Sequence, residues 1–186
     1  MKITVKEAVR AAARALGIED GVEAYLQGNE TNLGERDTNI LVESFNRVEN
    51  DLALEYLALT IEEPISTVSG VIPYSLFTSP FIRILDVKDA NGNSVKYKLF
   101  PDRLETQAGK VTVFYVFAPT EKTLEDEGEY EKSIVSRVFL YGMASEYCLM
   151  AGEMENADAW NSKYQETIRL IYQKKTMKRM QARRWV

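Results

Sequence analysis

The chain has 186 residues, 45% hydrophobic and 27% charged, with a net charge of −5 at pH 7. Those are globular proportions, and a chain of this length buries roughly 70% of its unfolded surface with no disulfide or metal to help it. A single cysteine and the absence of histidine exclude an internal disulfide, a Cys/His zinc site and a histidine general base.

Thr4-Val5-Lys6-Glu7 reads as a capping box. Val5, Ala8, Val9, Ala12 and Leu16 follow on one helical face, and Gly17 stops the helix. Met1 to Leu16 has no continuous apolar run, so no signal peptide is expected. Glu19 to Gln27 is a second short segment, and polar Asn29 to Arg36 reads as a loop. From Asp37 to Ala58 the residues Ile40, Leu41, Phe45, Val48 and Leu52 recur at helical spacing. At ~1.5 Å per residue this predicts a helix about 30 Å long.

After Thr60 the period shortens. Pro64, Gly70, Pro73 and Pro80 punctuate β-type runs at Ile65 to Val71, Phe81 to Val87, Val95 to Phe100 and Val111 to Phe117. Asn91-Gly92 is a hairpin signal, and the last run is the strongest strand by its β-branched and aromatic content. The longest uncharged stretch, Pro64 to Ile82, is broken by prolines and cannot be a membrane helix. A soluble protein of a reducing compartment is expected.

Pro119 closes the sheet, and the acidic run Leu124 to Glu129 reads as favourable charge before a helix N-terminus. Ser133 to Met150 predicts an apolar helix broken at Gly152, and Asn156 to Thr176 its antiparallel partner. The expected fold is therefore α+β. A helical bundle (residues 1–59 and 120–176) contains a long central helix and a C-terminal helical hairpin. A small antiparallel β-sheet is inserted at 60–119, and an extended basic arm occupies 177–186.

Few residues offer chemistry. Asp89-Ala90-Asn91-Gly92-Asn93 resembles the opening of a calcium loop, but its glycine is misplaced and Phe100 stands where a bidentate glutamate is needed. It reads as a hairpin turn. Gly109-Lys110 lacks the flanking residues of a phosphate loop. Ser145, Glu146 and Cys148 have no histidine to activate a nucleophile, and Cys148 reads as a small core residue. Glu43, Glu49 and Asp51, and likewise Glu125, Asp126 and Glu127, show no spacing that singles out a carboxylate pair. Tyr141, Tyr147, Trp160 and Tyr164 recur at helical spacing and read as core packing; a base-stacking platform would need more interleaved bases. The protein reads as non-enzymatic, with no cofactor and no metal.

The carboxyl end is different. Beyond Glu166 the chain carries seven Lys/Arg and no acid, so a body of charge −12 ends in a segment of charge +7. Trp185 near the terminus is costly to leave in water unless it fills a pocket. Arg183 and Arg184 offer forked donors to a carboxylate surface, or less selective contacts to phosphates.

Several stretches together resemble the head–tail connector (adaptor, or neck) proteins of tailed bacteriophages. They are Asn39 to Leu59 running into Thr60-Ile61-Glu62-Glu63, the Val87 to Tyr97 hairpin, Tyr115-Val116-Phe117-Ala118-Pro119, Leu140 to Cys148, and Ala182-Arg183-Arg184-Trp185. They span most of residues 37–186, none is diagnostic alone, and residues 1–36 carry little of the likeness. The resemblance implies a ring, usually dodecameric, docked beneath the portal protein at the head–tail junction of the virion and built in the host cytoplasm. Such a ring extends the DNA channel and offers a platform to a downstream stopper or tail protein. DNA passes through it without specific recognition, and no membrane is involved. By analogy the segment Lys174 to Val186 would dock on the portal, through Lys174, Lys175, Lys178, Arg179, Arg183, Arg184, Trp185 and Val186. Met180-Gln181-Ala182 departs from the pattern in having no breaker before Arg183, which lets the arm continue as helix. The alternatives are a nucleic-acid-binding packaging accessory protein and a tail-completion or stopper protein of the neck.

Overall fold

The computed structural model describes residues 1–29, 32–67, 69–107 and 109–176, with side chains described as far as residue 171. The fold is α+β and divides into two compact units: Met1–Glu49 with the chain from Glu121 onward, and Asn50–Thr120.

The first unit is mainly helical. Strand β1 (Lys2–Thr4) leads into α1 (Val5–Leu16), where Thr4 Oγ1 accepts the Glu7 backbone N–H at 3.3 Å. The cap forms as its residue types dictate, and α1 ends at Gly17. Helix α2 (Glu19–Leu26) follows, then α3 (Asn32–Asp51). After Glu121 come strand β8 (Glu127–Glu131), α4 (Lys132–Ala151) and α5 (Met154–Thr176). Gly152 adopts φ 81°, the left-handed conformation that lets its N–H reach back to the last carbonyls of α4. The buried apolar faces of α1, α3, α4 and α5 meet in the core, where Phe45 and Phe139 stack with ring centroids 4.4 Å apart.

The second unit is β-rich. Helix α3 runs into it through a π-helical turn at Leu52–Tyr56, closed by the Leu57 N–H on the Leu52 carbonyl at 2.6 Å. One antiparallel sheet has the order β2 (Leu59–Ser66), β7 (Lys110–Phe117), β4 (Phe81–Asp89); the other has the order β3 (Val71–Pro73), β6 (Arg103–Thr106), β5 (Tyr97–Leu99). Ile65, Ile72, Ile84, Val87, Leu104, Val111, Val113 and Tyr115 form its core.

Four local expectations are corrected. Asn32 to Arg36 is helix rather than loop: Gly21 and Gly34 bring α2 and α3 together, so that a Cβ on Gly21 would lie 3.7 Å from Gly34 Cα. The first strand of the β-rich unit, β2, begins at Leu59 rather than Ile65, because the helical pattern ends in the π turn. Pro64 is tolerated in it because Thr67 donates to Gly109 inside the ladder, and alternation then turns the position of the missing Pro64 N–H outward. The interval Ile65 to Val71 is divided between two sheets. The acidic run ahead of α4 enters a strand: β8 pairs with β1, Lys2 opposite Glu131 and Thr4 opposite Glu127.

Candidate functional site

The residues singled out in the sequence fall into separate structural roles. On α4, Ser145 donates to the Ala157 carbonyl at 3.0 Å, tying α4 to α5, and Glu146 faces Arg47 at 3.5 Å, which also pairs with Glu43 at 2.7 Å. Cys148 is buried, and burial followed by the charge of Glu153 raises its thiol pKa. The thiolate that a nucleophile requires is thereby disfavoured.

The four aromatic residues do not form one row. Tyr164 is buried against Gly142, where a Cβ would lie 3.0 Å from its ring and 2.7 Å from Val48 Cγ2. Tyr147 donates to Asp37 Oδ1 at 2.9 Å, and burial with this bond pushes its pKa up to about 12. Tyr141 and Trp160 stack at 5.9 Å, half-buried, with Lys163 Nζ 4.2 Å from the Trp160 centroid. One of the four, Tyr164, packs inside; Tyr147 is half-buried and bonded to Asp37, and the other two form a small cation-capped pair.

The Asp89 loop is a turn. The Asp89 carboxylate accepts the backbone N–H groups of Asn91 at 2.8 Å and Asn93 at 2.9 Å. The Asn93 amide, with weaker help from Asn91, holds its pKa below the ordinary value. Of the acidic run, Glu125 pairs with Lys6 at 3.1 Å and Asp126 accepts the Thr123 backbone N–H and hydroxyl at 2.6 and 2.7 Å. No group of three or more His, Cys, Asp or Glu is arranged to hold a metal ion among the described residues. No helix there is long and apolar enough to cross a membrane.

Glu49, which no spacing singles out from Glu43 and Asp51, is a buried carboxyl, 1% exposed on α3. Its Oε1 accepts the Glu129 backbone N–H at 2.6 Å, while Oε2 has no hydrogen-bond partner among the described residues. Burial raises its pKa, against the pull of the Glu129 N–H and Lys122. Beside it Lys122 and Lys2 pair with the Glu129 carboxylate at 2.6 and 2.9 Å. Buried Tyr130 has its own pKa raised by burial and by Glu49. The signal was present: Glu49 lies four residues after Phe45 and one after Val48, on the buried face of an amphipathic helix.

In the β-rich unit a half-buried carboxylate, Glu63, accepts the Tyr115 hydroxyl at 2.7 Å and the Thr78 N–H and hydroxyl at 3.1 and 2.5 Å. It fastens the loop after β3 to the central strand. Burial and Glu63 push the Tyr115 pKa up to about 12. The outer edges of the larger sheet are guarded. Pro64 interrupts the donors of β2, and β4 carries bulges between Phe81 and Arg83 and between Ile84 and Asp86. Both devices discourage edge pairing.

The proposed portal-docking residues lie at and past the end of α5. Lys174 and Lys175 belong to its last turn, but their side chains, and all of Lys178, Arg179, Arg183, Arg184, Trp185 and Val186, lie outside the described residues. Comparison with known families finds no family model that matches the chain, and comparison with curated proteins finds no match either.

Proposed function

We propose that this protein is a non-enzymatic subunit of a tailed-phage head–tail connector. It forms a ring beneath the portal, extends the DNA channel and presents a platform to the downstream stopper or tail protein. The observation that carries this reading is the arrangement of parts. A helical unit is interrupted in sequence by a β-rich unit, and its last helix leads directly into a basic segment on an otherwise acidic chain. This layout accords with the stretches that resemble connector proteins.

Charge supports the same reading. A DNA channel works better with a repelling than a gripping wall, because each neutralised phosphate adds a salt-dependent hold. The basic segment is then available to anchor on protein, with Arg183 and Arg184 as forked donors and Trp185 as an apolar anchor.

Electron microscopy and light scattering of the protein with and without a portal test the assignment. Rings that form on the portal are expected. Tight, strongly salt-dependent binding of free duplex DNA, with no ring on the portal, would favour a nucleic-acid-binding packaging accessory instead.

A further inference from the structure

Among the described residues strand β5 pairs with one strand, β6, while Ser94 and Val95 just before it pair with Lys88 and Val87 of β4, the Val95 N–H donating to the Val87 carbonyl at 2.7 Å. The β5–β6 pairs are Tyr97 with Thr106, Lys98 with Glu105 and Leu99 with Leu104, and Phe100 donates to the Arg103 carbonyl at 2.9 Å. Antiparallel alternation turns the N–H and C=O of Tyr97 and Leu99 to the open side. Unlike the outer edges of β2 and β4, this one carries no proline and no bulge. A groove of about 610 Å³ lies over the β5–β6 pair, lined by residues 95–98 and 105–107.

The side chains at this edge alternate by chemistry. Tyr97 packs on the core and Leu99 shares the face of buried Leu104, yet Leu99 is 54% exposed. Lys96 and Lys98 stand on the opposite face, exposed, with no ion-pair partner among the described residues; the facing Glu105 is held by Arg103 at 2.9 Å.

We propose that the free edge of β5 docks an extended segment of another protein in which acidic and apolar residues alternate. The added strand would bond the open backbone groups of Tyr97 and Leu99. Its apolar side chains would cover Leu99, and its acids would face Lys96 and Lys98 on the other side. Charge decides the occupant. Two copies joined through this edge would set lysine against lysine, a known guard against self-pairing, whereas an acidic strand neutralises both. The connector assignment is not used in this inference, and the test needs neither portal nor ring.

The probe is a short capped peptide alternating glutamate and valine, titrated into the full-length protein and followed by amide NMR. The Tyr97 and Leu99 amides are expected to shift on binding. The double variant K96E/K98E should weaken binding by at least about tenfold while leaving the rest of the spectrum in place. A peptide methylated at alternate backbone nitrogens, which leaves the protein unaltered, should not bind in the register that needs those nitrogens. The proposal is overturned if the two amides do not shift at millimolar peptide. It is equally overturned if a lysine–valine peptide binds as well, or if K96E/K98E binds with undiminished affinity.

Discussion

The Glu49 carboxyl lies inside the helical unit and holds strand β8 by its backbone: Oε1 accepts the Glu129 N–H at 2.6 Å while Oε2 has no hydrogen-bond partner among the described residues. Burial raises the Glu49 pKa above its ordinary 4.5, so the folded state binds a proton that the unfolded state has released. Its contribution to stability is present below that ordinary value and is lost as pH rises through the raised folded value. Glu49→Gln keeps an acceptor for Glu129 and removes the buried charge. The stability difference between Glu49→Gln and wild type should therefore grow in favour of the variant as pH rises above about 4.5. Glu129, Lys122, Lys2 and Tyr130 remain in both proteins, which is why the difference is the quantity to measure, by urea unfolding across pH. Glu49→Ala strands the Glu129 N–H and should cost about 2 kcal/mol. A flat difference across pH would contradict the account.

Gly128 is the close neighbour that makes this arrangement possible. A Cβ there would lie 2.8 Å from Glu49 Oε1 and 2.9 Å from Phe45 Cζ. Gly128→Ala should destabilise the protein by about 2 kcal/mol through overpacking, read as a lower urea midpoint. In Glu49→Ala the same substitution should cost less, since one of the two clashing groups is gone.

Much of this was legible in the sequence, for physical reasons. Helix α1 carries its own cap and stop, α4 and α5 declare themselves by apolar period and Gly152, and β7 by its β-branched and aromatic run. These signals are local. The β1–β8 pair is not local: it joins Lys2 to Glu131, and three residues of strand are too few to show a period. The π turn hid the start of β2, since Leu52 to Tyr56 continues the helical pattern while its hydrogen bonds change. At the candidate sites, the basic end of the chain is visible as charge alone. Glu49 was legible only as an acid on an apolar stripe, and its partners come from a strand far along the chain.

In the β-rich unit, Tyr115→Phe removes the hydroxyl that Glu63 accepts at 2.7 Å and leaves the Thr78 contacts in place. A cost of about 1.5 kcal/mol is expected from loss of a hydrogen bond to a charged acceptor. Ultraviolet titration of the folded protein should lose a tyrosine that ionises only near pH 12.

Cys148 reports on the integrity of α4. Buried, with its thiol pKa raised by burial and by Glu153, it should react slowly with a disulfide reagent in the folded protein and promptly in urea. Prompt reaction without denaturant would mean that the α4–α5 pair opens readily.

Portal binding by the full chain and by a chain ending at Met177 is the most direct measurement of the proposed role. Light scattering or sedimentation of each with a portal is sufficient. The full chain is expected to assemble on the portal, and removing Lys178 to Val186 to abolish assembly while the helical and β-rich units stay folded. Undiminished binding by the truncated chain would contradict the proposed role.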